Sequence, residues 1–176
     1  DRTVRVWDAE TGESESGLGL PVLRGHRDHV WCVAWSSDGQ RLASGGRDRQ
    51  IYIWDASNGE CERILEGRGG GVYSVSFEEH SSRLVAGGTD NCIYMWDVDS
   101  GDCLKVFCGH TDWVRSVVWH HDKILSGSAD RSVRIWDAVD ADCERVLNGH
   151  TDSVWSVAIS NDGRHIVSGS TDKTVR

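Results

Sequence analysis

Serine, histidine and aspartate recur together in this chain at spacings that invite a catalytic interpretation. His26, Ser44 and Asp48 form one set, His110, Ser126 and Asp130 a second, and His150, Ser168 and Asp172 a third. In a nucleophilic triad, a histidine base activates one serine beside an oxyanion hole. Such a site occurs once per enzyme, so a set repeated along the chain reads as architecture and leaves an enzyme as a minor alternative. Adjacent His120 and His121 are the other suggestive group. No third and fourth ligand stands near them, and no CxxC pair occurs, so neither a metal nor any other cofactor is expected.

The elements that must position these groups follow from a period. Trp-Asp occurs at Trp7, Trp54, Trp96 and Trp136, spaced 47, 42 and 40 residues apart. Glycine followed by a basic or imidazole side chain keeps step at Gly25-His26, Gly67-Arg68, Gly109-His110 and Gly149-His150, spaced 42, 42 and 40. Two landmarks sharing one period define a repeat. Within a unit the chain reads HVWCVAWS, QRLASGG, QIYIWDA and CERILEG, four short runs rich in Val, Ile, Trp and Tyr. Clusters such as Ser-Ser-Asp-Gly and Ser-Asn-Gly separate them, so the runs are strands and the connections turns. Four antiparallel strands in about forty residues describe a propeller blade, and the fold class expected is all-β. The units run over 25–66, 67–108, 109–148 and an incomplete 149–176, with a blade remnant at 1–24.

At this point the chain resembles a known family. Gly-His, then Ser-Gly-Ser or Ser-Gly-Gly, then Asp, then Trp-Asp, as in SGSADRSVRIWDA at Ser126 to Ala138, is similar to the WD-repeat β-propellers. The resemblance covers essentially the whole chain and implies about four blades belonging to a larger ring. It implies a buried hydrogen-bonded chain from indole to hydroxyl to imidazole to carboxylate: Trp54, Ser44, His26 and Asp48; Trp136, Ser126, His110 and Asp130; and His150, Ser168 and Asp172 in the last unit. One unit departs from the pattern, with Arg68 and Ala86 beside Asp90 and Trp96, followed by Gly69, Gly70 and Gly71. A looser leading loop is expected there, with Asp90 available to pair with Arg68. Drift and a mobile recognition loop both remain open as its cause.

The resemblance also places contact positions around the channel, on the face carrying the connections between blades. They are His29, Trp31 and Arg47; Tyr73 and Thr89; Trp113, Arg115 and Ala129; and Ser153, Trp155 and Thr171. Aromatic and guanidinium groups dominate interface energies, so this ring has the composition of a protein-binding surface. Trp35 and Trp119, further along the same strands, are expected to pack between blades. The function implied is non-catalytic, a scaffold presenting a rigid face to a peptide or protein. The wording of the repeats is also similar to the sensor propellers of fungal NACHT-type signalling NTPases, although no GxxxxGK[ST] loop occurs in this chain. The alternatives are a substrate receptor in a ubiquitin ligase, a ribosome-assembly subunit and, last, a propeller enzyme.

Charge and cysteine usage narrow the partners. A net charge of −9 argues against a general grip on nucleic acid, and no apolar run is long enough to span a bilayer. The six cysteines are expected to be reduced, small, buried or half-buried side chains, with Cys61, Cys103 and Cys143 on separate blades. That usage fits a cytoplasmic or nuclear protein. The connection after Trp7-Asp8, containing TGESESGLGLP, is longer than its equivalents and should be an exposed loop. Residues 1–5, DRTVR, repeat residues 172–176, DKTVR, which suggests a segment of a longer ring, two chains closing an eight-bladed ring, or an open arc.

Overall fold

The computed structural model describes residues 1–12, 22–67 and 69–176, and the described residues form strands and turns without a helix. A short pair of strands, β1 (Thr3–Val4) and β2 (Leu23–Arg24), opens the chain. Three four-stranded sheets follow. The first contains β3 (Val30–Trp35), β4 (Arg41–Gly46), β5 (Gln50–Asp55) and β6 (Cys61–Glu66). The second contains β7 (Val72–Phe77), β8 (Arg83–Gly88), β9 (Cys92–Asp97) and β10 (Cys103–Cys108). The third contains β11 (Val114–His120), β12 (Lys123–Ser128), β13 (Val133–Asp137) and β14 (Cys143–Leu147). A two-stranded sheet of β15 (Val154–Ile159) and β16 (Ile166–Ser170) ends the series. Every neighbouring pair is antiparallel and consecutive in sequence, so each sheet is an up-and-down blade, and the whole is an all-β arc of propeller blades.

Sequence explains which strands are covered. The second strands read RLASGG, RLVAGG and KILSGS, and all but the first residue of each is buried. They carry mostly small side chains because sheets lie against both of their faces. Close approach between blades is set by one glycine in each: a Cβ on Gly45 would stand 2.6 Å from Val72 Cγ1, on Gly87 2.6 Å from Val114 Cγ1, and on Gly127 2.7 Å from Val154 Cγ1. Serine hydroxyls tie the inner strands together. Val117 N donates to Ser74 Oγ at 3.0 Å, Trp119 N to Ser76 Oγ at 3.0 Å and Val157 N to Ser116 Oγ at 3.3 Å. The cores therefore lie between blades, as in the cluster joining Ile51, Ile53, Val72, Leu84 and Trp96.

Three expectations need correction. Cys92 and Cys108 are joined by a disulfide, with Cα atoms 4.8 Å apart, because they face each other across β9 and β10. The two cysteines are related by hairpin register within one blade and not by the repeat between blades. Cys61 and Cys143 are exposed, since the outermost strand of each blade has solvent on its outer side. Trp119 is buried, with Nε1 donating to His121 O at 2.8 Å, but Trp35 is 51% exposed. The long connection after Trp7-Asp8 falls mostly on residues 13–21, outside the described residues.

The glycine contacts give a matched pair of substitutions. Gly127→Ala forces a methyl against Val154 and Val157 and should cost about 1–3 kcal/mol, the usual range for overpacking. Gly169→Ala, at the equivalent position with nothing within 4 Å, should leave the denaturant midpoint unchanged. Equal losses in the two variants would contradict this account of blade spacing.

Candidate functional site

The Ser-His-Asp sets have the distances of a triad and the wrong surroundings for one. His26 Nδ1 lies 2.8 Å from Asp48 Oδ2 and His26 Nε2 lies 2.8 Å from Ser44 Oγ. Ser44 is fully buried, and its oxygen already accepts a hydrogen bond from Trp54 Nε1 at 2.8 Å. Only one assignment satisfies every group: indole N–H to serine, serine O–H to Nε2, and Nδ1–H to the carboxylate. The serine has no access to a substrate, and its oxygen is engaged both as donor and as acceptor, so the set braces the fold. The same geometry recurs at Trp136, Ser126, His110 and Asp130, with distances of 2.8, 2.7 and 2.7 Å. His150 stands 2.9 Å from Ser168 and 2.7 Å from Asp172. Ser168 meets no indole donor among the described residues, while Trp7 is 57% exposed against 1–4% for Trp54, Trp96 and Trp136.

Each carboxylate also fixes the backbone of the loop leading into a blade. Asp48, Asp130 and Asp172 accept the amides of Arg27, Thr111 and Thr151 at 2.9, 3.1 and 3.0 Å. Burial pushes the Asp130 carboxyl up, but hydrogen bonds from His110 and Ser132 outweigh it and hold the group well below the ordinary carboxylate range.

The β7–β10 blade lacks this brace. Trp96 Nε1 is buried and meets no partner among the described residues, and Asp90 accepts from Tyr94 Oη at 2.8 Å instead. Arg68, expected beside Asp90, lies outside the described residues. The glycines after it lie close over the turn: a Cβ on Gly69 would overlap the Asp90 carboxylate, and one on Gly70 the Thr89 hydroxyl.

The channel-face residues converge through a device that strand patterns do not display. All four inner strands carry a register shift at the same place, between Val30 and Cys32, Val72 and Ser74, Val114 and Ser116, and Val154 and Ser156. The extra residue is Trp31, Tyr73, Arg115 or Trp155. A bulge re-aims the side chain of its extra residue. Here it lines four planar groups into a ladder. Trp31 stacks on Tyr73 at 4.6 Å, and the Arg115 guanidinium carbon lies 4.9 Å from the Tyr73 ring and 3.8 Å from Trp155. Trp113 joins from the side, 5.8 Å from Tyr73 and 5.0 Å from Arg115. Such contacts contribute about 0.5–2 kcal/mol each, so part of this surface serves blade packing. Trp31, Trp113 and Trp155 nonetheless stay 39%, 41% and 52% exposed at their edges.

The other expected contact residues frame the ladder. His29 is exposed and bonded to Asp28, and Arg47 reaches toward Asp28 at 3.7 Å. Thr89 and Ala129 are half-buried and donate their amides to Gly71 O and Trp113 O at 3.0 and 2.9 Å. Thr171 does the same to Ser153 O at 3.0 Å, and its hydroxyl accepts from Trp155 Nε1 at 2.7 Å. Carboxylates such as Glu60, Asp99, Asp102, Asp140 and Asp142 lie in turns at the opposite ends of the strands. The connections around the ladder carry both signs, with Arg27, Arg47, Arg49, Arg131 and Lys173 beside Asp28, Asp112 and Asp152.

Comparison with known proteins agrees with this architecture. The family model "WD domain, G-beta repeat" matches residues 19–55, 59–97, 101–137 and 141–176. The chain belongs to the WD-repeat family. It is 39% identical over 61 residues to a probable cytosolic iron-sulfur protein assembly protein 1 from Kluyveromyces lactis, covering 32% of this chain and 18% of that protein. It is 40% identical over 55 residues to WD repeat and SOCS box-containing protein 1 from Xenopus tropicalis, covering 31% of this chain and 12% of that protein. The chain thus spans less than a fifth of either relative.

Two measurements test the brace. Ser126→Ala leaves the Trp136 indole and the His110 ring nitrogen unpaired, and should cost about 1–3 kcal/mol for each orphaned group in chemical denaturation. The depressed Asp130 carboxyl stabilises the fold fully above its unfolded value of about 4, and that contribution is lost as pH falls. Asp130→Asn should therefore flatten the acid limb of the stability curve below about pH 4. An unchanged limb would mean that the carboxylate contributes nothing by its charge.

Proposed function

We propose that the chain is a non-catalytic interaction platform that binds a protein or peptide across the channel face, on the ladder and its frame. One observation carries the reading: in four consecutive blades the inner strand bulges at the residue that enters the ladder. Packing between blades needs no bulge repeated at a solvent-facing rim, whereas a contact surface does need rigid planar groups held at its centre. The contact set is His29, Trp31, Arg47, Tyr73, Thr89, Trp113, Arg115, Ala129, Ser153, Trp155 and Thr171. The buried, doubly engaged serines weigh against hydrolytic chemistry.

The wider setting is proposed on less. A role in the cytoplasm is supported by the printed name of one relative, and that name and the SOCS box of the other favour an assembly subunit or substrate receptor as the alternative. A sensor role beside a signalling NTPase rests on the wording of the repeats alone. Assembly has its own observation: among the described residues Ser168 meets no indole donor, while Trp7 is exposed. We therefore propose that further blades or a second copy complete the β15–β16 sheet. Native mass measurement checks the second copy, since a chain that stays monomeric at high concentration excludes it.

The test of the contact surface is a double substitution, Trp113→Ala with Arg115→Ala. With the fold verified by circular dichroism, affinity capture should lose its specific partners by about tenfold or more, as expected for removal of anchor residues. Undiminished capture would move the site elsewhere.

A further inference from the structure

The disulfide lies in the one complete blade that lacks the buried brace, and its position explains what it replaces. Cys92 follows the Asp90-Asn91 turn, and Cys108 ends β10 just before Gly109 and His110. The residue equivalent to Cys92 is Gln50 in the β3–β6 blade and a hydroxyl in the two units that follow. Ser132 Oγ donates to Asp130 Oδ1 at 2.6 Å, and Thr174 Oγ1 donates to Asp172 Oδ1 at 2.7 Å. A cysteine cannot match those bonds. With no serine at Ala86 either, the turn of the β7–β10 blade is held across the strands by a covalent link instead.

Two segments that feed the ladder meet at this link. On one side, the Thr89-Asp90 turn underlies Gly69 and Gly70, and Thr89 N donates to Gly71 O at 3.0 Å. Gly71 lies beneath Trp31, and Tyr73 follows two residues later. On the other side, Cys108 leads through His110 to Trp113. Cys108 is exposed and Cys92 half-buried, so a small thiol can reach one sulfur of the pair.

We propose that Cys92 and Cys108 form a reversible thiol–disulfide site, opened by low-molecular-weight thiols and closed by their disulfides, that sets the order of the Gly69–Tyr73 and Gly109–Trp113 segments of the ladder. The exchange balances without other reagents. A thiolate attacks Cys108 Sγ, the bond to Cys92 breaks, and the electron pair leaves on Cys92 Sγ, which takes a proton. A second thiolate then attacks the reagent's sulfur in the mixed disulfide and releases Cys108, giving two protein thiols and one reagent disulfide. In a reducing compartment the pair opens, and an oxidising shift closes it. Control of binding by this pair rests on the ladder being the contact surface; control of local order does not.

The experiment separates the two. The 176-residue chain is equilibrated with reduced and oxidised glutathione, its thiols are trapped by alkylation, and amide exchange is followed in both states without any partner. A linked Cys92–Cys108 peptide is expected in the oxidised mixture and free thiols in the reduced one. Exchange at Gly70 to Tyr73 and Gly109 to Trp113 should be about tenfold faster or more in the reduced state, with Val154 to Ile159 unchanged. Cys92→Ser with Cys108→Ser should match the reduced state in either mixture. No linked peptide at any ratio, a link that opens only on unfolding, or equal exchange in the two states would each overturn the proposal. Capture by the Trp113 and Arg115 variant tests the contact surface independently.

Discussion

A buried hydroxyl needs an answer for both its proton and its acceptor oxygen, and the described residues meet that need in full twice, at Ser44 and Ser126. Ser44 and Ser126 each accept from an indole on the third strand and donate to an imidazole in the loop before the first. The imidazole passes the demand to a carboxylate in the turn between second and third strands, which also takes a loop amide. Three strands and two connections are thereby fixed by groups that water cannot rescue. Each link contributes modestly, about 0.5–1.5 kcal/mol, yet breaking one orphans its neighbour. That asymmetry holds the loop before the first strand in one place, and the bulged second residue of that strand inherits its position.

The ladder depends on that inheritance. Trp31, Tyr73, Arg115 and Trp155 can stack only if their blades stand at a constant separation and their bulges at a constant height. Separation comes from the second-strand glycines, against which the next blade's valines rest. Height comes from the braced loops before β3, β11 and β15 and, before β7, from the hydrogen bond of Thr89 N to Gly71 O. The geometry of the ladder is thus set by features that each lie outside it, and its partly exposed indoles are held in place by stacking.

Much of this was legible in the chain. The strands and their antiparallel succession follow from the forty-residue period, and the residues of the buried brace are what the resemblance to the WD-repeat family implies. The bulges were not legible. A bulge is a count of residues on one strand against another, and Val30-Trp31-Cys32 reads as ordinary alternation until its partners Gly46 and Gly45 are known. The disulfide was hidden for a related reason, since Cys92 and Cys108 are related by hairpin register and not by the repeat. Trp35 was misplaced because a pattern assigns the same neighbours to every blade, while β3 has only the short β1–β2 pair before it.

The β7–β10 blade shows how one architecture tolerates the loss of its brace. Ala86 removes the hydroxyl, and Trp96 is left with a buried N–H that no group among the described residues accepts. Such an orphan costs about 1–3 kcal/mol, so the blade is the weak point of the arc unless something else restrains it. Its neighbours supply packing on both faces, through Gly45 against Val72 and Gly87 against Val114. The disulfide supplies restraint at the end where the brace is missing. A covalent link differs from a hydrogen-bonded chain in one respect that matters here: its presence depends on the surrounding thiols and not on the fold alone. The blade with the weakest internal polar network is also the one that places Tyr73 between Trp31 and Arg115. Any change in its order is therefore transmitted into the middle of the ladder and not to its edge.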